Sequence, residues 1–215
     1  MSITKPRVLV TGASGFIASR IVTDLLLKGY NVRAATRSGS NPRLRYLHEV
    51  MTAHPETTDK LDLVETDLLD AKSWNSHVKN CKYVLHTASP VNFAPLDVER
   101  DLYQPAIQGT MNILEASARN DVEKIIITSS SSAITDSGFE EREYDENDWT
   151  DPSISPFPYS RSKTLAEKAV WKFAIAHENI QISTICPSLV LGPSLVSGDF
   201  TSGRTISDLL TGKRK

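Results

Sequence analysis

The sequence is poor in the features that would mark a secreted, metal-bound or membrane protein. Among 215 residues there are two cysteines, Cys81 and Cys186. Each lies in an apolar stretch without a second ligand at metal-binding spacing, so both read as reduced, buried thiols rather than as a disulfide or a metal site. No apolar run approaches the roughly 20 residues needed to span a bilayer. Lys5 and Arg7 are followed by a glycine-bearing stretch, not by the apolar core of a signal segment. There is no surplus of one charge either: 24 basic against 26 acidic side chains leave a net charge of -2, which offers nothing to nucleic acid or an anionic membrane. Internal repeats and low-complexity tracts are missing too. The expectation is a soluble, intracellular, cytoplasmic protein with neither a nucleic-acid nor a membrane partner. With 40% apolar and 23% charged residues the chain should fold, and its length suits one well-buried domain with at most a small second one.

What is present is an alternation of short apolar strands and amphipathic helices. Strands are expected at Arg7–Val10, Asn31–Thr36, Leu61–Glu65, Tyr83–His86, Lys124–Thr128 and Ile180–Cys186. Helices are expected at Phe16–Lys28, with Ile17, Ile21 and Leu25 on one stripe and Gly29 as its stop, and at Pro42–Ala53. A short helix capped by Asp70 follows, then Leu102–Arg119 with Ile107, Met111 and Leu114 facing inward, and a last one from about Tyr159 to His177. Strands that are apolar throughout and separated by helices imply a parallel sheet covered on both faces. Right-handed crossovers make it the α/β, doubly wound, Rossmann-type fold. Residues 135–158 are polar and proline-bearing and too long for a plain connector, which marks them as a functional loop.

The first turn carries the clearest ligand signal. Thr11-Gly12-Ala13-Ser14-Gly15-Phe16-Ile17-Ala18 lies between a strand and a helix. Gly12 allows the tight turn, Gly15 lets the backbone approach a pyrophosphate, and Ala18 meets the need for a small residue in the third position. The phosphate charge then falls on the free N–H groups of a helix N-terminus. The second strand ends in Thr36-Arg37-Ser38. A carboxylate there would accept from ribose hydroxyls and repel a 2′-phosphate. Arg37 offers a forked cation instead, with Arg43 as a second, so NADP(H) is the expected cofactor. Asp67 has two readings, acceptor for an adenine amino group or cap of the next turn. Thr87-Ala88-Ser89 closes the fourth strand with small residues that leave room at the sheet edge.

Tyr159 and Lys163 stand four residues apart and share a helix face. A nearby ammonium favours the phenolate and is expected to lower the tyrosine pKa, which suits proton donation to a developing alkoxide. Thr128-Ser129-Ser130-Ser131-Ser132 follows the fifth strand directly, and a serine there can hydrogen-bond the same oxygen. Serine runs are also ordinary turn formers.

With these motifs in order, the chain resembles the extended short-chain dehydrogenase/reductase family, in the branch of dihydroflavonol reductase, cinnamoyl-CoA reductase and the yeast-type methylglyoxal and aldehyde reductases. Further matching stretches are Lys28-Gly29-Tyr30-Asn31-Val32-Arg33-Ala34, His86-Thr87-Ala88-Ser89-Pro90-Val91, Tyr144-Asp145-Glu146-Asn147-Asp148-Trp149, Tyr159 through Glu167, and Pro187-x-x-Val190-x-Gly192-Pro193. The resemblance implies Ser130 as the catalytic serine, with Ser131 as second candidate, Tyr159 as general acid, and Lys163 as ribose ligand and tuner of Tyr159. It implies cofactor contacts from Gly12, Ser14, Gly15, Phe16, Ile17, Arg37, Asp67, Leu68, Thr87, Ala88, Ser89, Tyr159, Lys163 and Pro187, and no metal. The implied reaction is transfer of the 4-pro-S hydride of NADPH to a small-molecule ketone or aldehyde. By likeness alone, the helices at 102–119 and 159–177 are candidate faces of a homodimer.

Family members continue past Gly192-Pro193 into a smaller domain that closes over substrate, whereas this chain stops at Lys213-Arg214-Lys215. The expected division is therefore 1–193 as the NADP-binding domain with Ser130, Tyr159 and Lys163, and 194–215 as the start of a substrate domain that is largely absent. Two other functions use the same fold. One is a non-catalytic NADP-binding module; the other is an NAD-dependent sugar-nucleotide epimerase, against which Arg37 argues.

Overall fold

The computed structural model describes residues 5–137 and 142–213. Six strands, β1 (Arg7–Thr11), β2 (Asn31–Thr36), β3 (Leu61–Glu65), β4 (Tyr83–His86), β5 (Lys124–Thr128) and β6 (Gln181–Ile185), form one sheet in the order β3-β2-β1-β4-β5-β6. Every pairing is parallel. The order reverses between β1 and β4, and in such sheets the crevice beyond the strand ends at that point is where ligands bind.

Alternate residues of each strand feed opposite faces. Val8, Val10, Val32 and Ala34 pack against α1 (Phe16–Leu27) and α2 (Arg45–Ala53). Leu9, Ala35, Val84, Ile125 and Ile127 pack against α3 (Ala71–Val78), α4 (Gln104–Ala118) and α6 (Pro158–Ala176). Trp74 of α3, 2% exposed, is the largest side chain of that second layer. Removing its ring would cost about 3–5 kcal/mol. Asp70 caps α3 as expected, accepting from the N–H groups of Lys72 and Ser73.

Several boundaries differ from the sequence reading, each for a local reason. The helix expected from Pro42 opens as a tight turn, Pro42–Leu44, because Asn41 accepts from the Arg43 N–H at 3.0 Å and sets the entry. The helix expected from Leu102 is entered through a wide π-type turn, Glu99–Tyr103, and α4 proper starts at Gln104, with Pro105 in its first turn. A tight helical segment at Pro55–Lys60, the short α5 (Ser132–Thr135) and α7 (Thr201–Leu210) were not anticipated. The first two are too short to show a period, and α7 buries none of its residues. Cys81 is buried, but Cys186, read as a core thiol, is only half-buried because it ends the edge strand. Among the described residues no helix is long and apolar enough to cross a membrane.

Candidate active site

A cleft of about 990 Å³ opens at the carboxyl ends of the strands. Its floor is the junction of β1 and β4. The Thr11 hydroxyl oxygen accepts from the N–H groups of Thr87 at 3.1 Å and Ala88 at 3.0 Å, so its proton goes to His86 Nδ1 at 2.8 Å. His86 therefore carries its proton on Nε2 and donates to Thr110 Oγ1 at 3.2 Å, which donates to the Ala106 carbonyl at 2.7 Å. The ring is 3% exposed. Burial first, and the charge of Lys163 second, push the His86 pKa down to about 3, so the imidazole is a neutral structural element. The Thr87 hydroxyl closes the junction by donating to the Thr11 carbonyl at 2.6 Å.

Above this floor lies the glycine turn. Gly12 has φ +73°, and a Cβ there would stand 3.1 Å from the Ala88 Cα. The Gly15 N–H donates to the Gly12 carbonyl at 2.7 Å, and a Cβ on Gly15 would meet that oxygen at 2.9 Å. Both positions thus need glycine, one for its backbone angle and one for space. The turn delivers the N-terminus of α1 to the cleft, where Ser14, Phe16, Ile17 and Ala18 line the wall. This cradle has the form a pyrophosphate requires.

The far end of the cleft is cationic. Arg37, just past β2, is exposed and lines the wall, and among the described residues no hydrogen bond or ion pair engages its guanidinium. Arg43 lines the same wall, donating to the Ser14 carbonyl from Nε and to the Asp199 carbonyl from Nη1, both at 3.0 Å. The carboxylate at the end of β3, Glu65, accepts from the Gly39 N–H at 2.7 Å. Asp67 and Leu68 also border the cleft. Of the two readings of Asp67, the structure displays the turn cap, with Oδ1 accepting from the Leu69 N–H at 2.9 Å.

At the other end, beyond Thr87, Ala88 and Ser89, the cleft brings Ser130, Tyr159, Lys163 and Pro187 together. Ser130 and Ser131 both line this part of the cleft, in different settings. Ser130 is buried and its side chain interacts with the Tyr159 hydroxyl, whereas Ser131 precedes α5 and its N–H donates to the Pro187 carbonyl at 3.0 Å. Tyr159 takes an aromatic edge contact from Phe93, with ring centroids 5.0 Å apart. Lys163 is buried, with Nζ 3.4 Å from the Thr128 carbonyl and 5.8 Å from the Tyr159 ring centroid. Burial lowers its pKa to about 8, against the opposing pull of Cys186 and Glu167.

The expected lowering of the tyrosine pKa is not found. Burial raises it, and the negative charge of Asp136 adds to the rise, while the hydrogen bond with Ser130 only partly opposes it. The Lys163 amine, its own pKa lowered to about 8, gives up its proton before the phenol titrates and so cannot favour the phenolate.

The loop at 135–158 packs next to the elements of the site. None of its described residues lines the cleft, and residues 138–141 lie outside the described ones. The loop instead braces the two helices that carry the site. Thr150 donates from its hydroxyl to the Ser132 carbonyl at 2.8 Å and from its N–H to the Ala133 carbonyl at 2.8 Å. Arg161 of α6 reaches back to the Ser155 carbonyl at 2.6 Å.

Sequence reasoning missed the approach to α7 and its first turn. Phe200 stacks on Phe16 with centroids 3.8 Å apart, and Asp199, Thr201 and Ser202 join the cleft wall. It also missed the carboxylate of Glu167, buried behind Lys163. The Glu167 position did stand in the motif from Tyr159, but nothing in the spacing says that it turns inward.

Residues 8–212 match the NAD dependent epimerase/dehydratase family. Anthocyanidin reductase ((2S)-flavan-3-ol-forming) of Vitis vinifera is 38% identical over 220 residues, covering 98% of this chain and 63% of that protein. Among solved structures, the yeast methylglyoxal/isovaleraldehyde reductase Gre2 complexed with NADPH superimposes with a TM-score of 0.75 at 31% identity, over 87% of this chain and 59% of that one. Vestitone reductase from alfalfa gives 0.77 at 32% identity, over 92% and 61%. The chain therefore spans somewhat under two thirds of these relatives.

Proposed function

The chain belongs to the NAD dependent epimerase/dehydratase family, and from that premise we propose that it binds NADP(H) and serves reduction of a small-molecule aldehyde or ketone. The observation that carries this reading is the convergence, in one cleft, of the glycine cradle, the exposed Arg37 and the set Ser130, Tyr159 and Lys163. Gly12 and Gly15 make the space for a pyrophosphate, and Arg37, with Arg43 beside it, answers the charge of a 2′-phosphate. Thr87, Ala88 and Ser89 leave the middle of the cleft open for a ribose and a nicotinamide, with Pro187 at the far side. The reductase relatives, one of them solved with NADPH, support the choice of cofactor and of reaction class.

Bound NADPH would supply the hydride. Tyr159 would supply the proton. Because burial keeps its hydroxyl protonated, it would act as a general acid toward a carbonyl oxygen gaining negative charge, and Ser130 would hold that oxygen by a second hydrogen bond. Lys163 would hold the ribose. In this reading residues 1–193 form the cofactor-binding and catalytic unit, and 194–215 begin a substrate-binding one.

Fluorescence titration with NADPH and NADH, followed by NADPH oxidation against a panel of aldehydes and ketones, tests the proposal. NADPH should bind at least tenfold more tightly than NADH, about 1.4 kcal/mol or more. Absence of NADPH binding would overturn it.

A further inference from the structure

Glu167 sits one helical turn after Lys163 on α6 and is 7% exposed. A carboxylate so deeply placed is costly unless its lone pairs are met, and here they are. Oε2 accepts from the hydroxyl of Ser129 and from the thiol of Cys186 at 3.5 Å. Oε1 accepts from the Thr184 hydroxyl at 2.8 Å and from Trp171 Nε1 at 3.2 Å.

The donors come from places that matter for the site. Ser129 leaves β5 immediately before Ser130. Thr184 lies in β6, and Cys186 precedes Pro187. Backbone bonds already stitch these two strand ends together, Ser129 N–H to the Ile185 carbonyl at 2.8 Å and Ser131 N–H to the Pro187 carbonyl at 3.0 Å. Glu167 fastens the stitched pair to the helix bearing Tyr159 and Lys163, while Lys163 bonds the Thr128 carbonyl of the same strand end.

We propose that Glu167 is the positioning residue of the site, setting the Ser130 loop against Tyr159 and serving as counter-charge to the buried Lys163 ammonium; the proposal rests on the reductase reading for its functional meaning. The ionisable groups facing Lys163 are Glu167 and Tyr159 on its own helix, Cys186 from the end of β6 and the neutral His86 from the end of β4. The Cys186 thiol and the Tyr159 phenol are both pushed up by burial and stay protonated at neutral pH, and Glu167, whose oxygens accept in all four of its hydrogen bonds, is the acidic group left to favour the ammonium. The ammonium is already weakened by burial, so loss of that charge should release its proton at lower pH.

The test is the pH titration of the Lys163 side chain by NMR in the chain carrying 13C-labelled lysine, with Lys163→Arg to assign the signal. It needs neither cofactor nor turnover. Glu167→Gln keeps the shape and removes the charge. It should lower the Lys163 midpoint by about one pH unit or more, and it should weaken NADPH binding near neutral pH several-fold more than at pH 6. Glu167→Asp keeps the charge but shortens the reach. It should leave the midpoint within a few tenths of a unit and speed amide hydrogen exchange at Ser130–Ser132. If Glu167→Gln does not fold, Glu167→Asp carries the test, and unchanged exchange at the serine loop in that variant overturns the positioning role. An unchanged Lys163 midpoint in folded Glu167→Gln overturns the counter-charge role. A shifted midpoint in a chain that never binds NADPH would uphold the coupling and sink the reductase reading instead.

Discussion

Arg43 donates from Nε to the Ser14 carbonyl at 3.0 Å, which ties a cation to the backbone of the glycine turn. Arg37, a few residues earlier, lines the same cleft and is exposed. One arginine is thus committed to the cradle and the other is open to a ligand, and the two should respond differently to substitution.

Arg37→Asp replaces the open cation with the charge that repels a 2′-phosphate. NADPH should bind more than tenfold more weakly, about 1.4 kcal/mol or more, with NADH less affected. Arg43→Ala should weaken both cofactors, because it loosens the turn that both share. Dissociation constants for the two cofactors on the two variants decide it; equal loss for both cofactors in Arg37→Asp would mean that Arg37 does not read the phosphate.

Gly12→Ala puts a Cβ at φ +73° and 3.1 Å from the Ala88 backbone. The strain should cost about 1–3 kcal/mol, read as a lower midpoint in urea. It should also cost cofactor affinity, because relief of the contact pushes the turn away from Ala88. A variant as stable as the parent would show that the turn is more pliant than its packing suggests.

His86 makes the fold sensitive to acid. Its pKa is about 3 in the folded chain, against an ordinary value of 6.5. The unfolded chain therefore binds the extra proton first. The stabilisation is fully present above about pH 6.5 and is lost as pH falls toward 3, by about 1.4 kcal/mol per pH unit. Urea unfolding at a series of pH values should show that slope, and His86→Gln should reduce it by about one proton between pH 6 and 4. Identical slopes in both proteins would mean that the imidazole does not titrate on unfolding.

Tyr159→Phe removes a single hydroxyl and keeps the ring against Phe93. In the reductase reading kcat should fall by about 10²-fold or more, with NADPH affinity little changed. Lys163→Ala should lower both turnover and affinity. Parallel measurement of kcat and NADPH Kd separates these outcomes, and near-normal kcat in Tyr159→Phe would remove the tyrosine from the acid's role.

Most of the scaffold was legible because its signals are local. Strands such as Arg7–Thr11 are apolar on both faces, Gly12 and Gly15 punctuate a strand-to-helix turn, and Asp70 caps its helix. Every residue named in advance for cofactor or chemistry lies on one cleft. What could not be read depends on distance. The pKa of Tyr159 turns on how completely the phenol and Lys163 are buried, and spacing along a helix does not give that. The different settings of Ser130 and Ser131 depend on the start of α5, a helix of four residues with no period to detect. The length of the loop at 135–158 marks it as functional, but composition does not announce the bracing hydrogen bonds of Thr150 and Ser155. Phe200 meets Phe16 across 184 positions of chain by ring stacking alone, a pairing with no local trace.

The Thr11 hydroxyl, with two N–H groups on its oxygen and its own proton on an imidazole, narrows what this position can become. Valine matches threonine in shape, yet it would leave the buried His86 Nδ1 without a donor, at about 1–3 kcal/mol, and would take the acceptor from the half-buried N–H groups of Thr87 and Ala88. Serine keeps the oxygen and surrenders only a methyl. A residue that looks like ordinary strand filler is thereby restricted to the hydroxyl-bearing side chains, and the restriction comes from the end of a different strand and the backbone just past it.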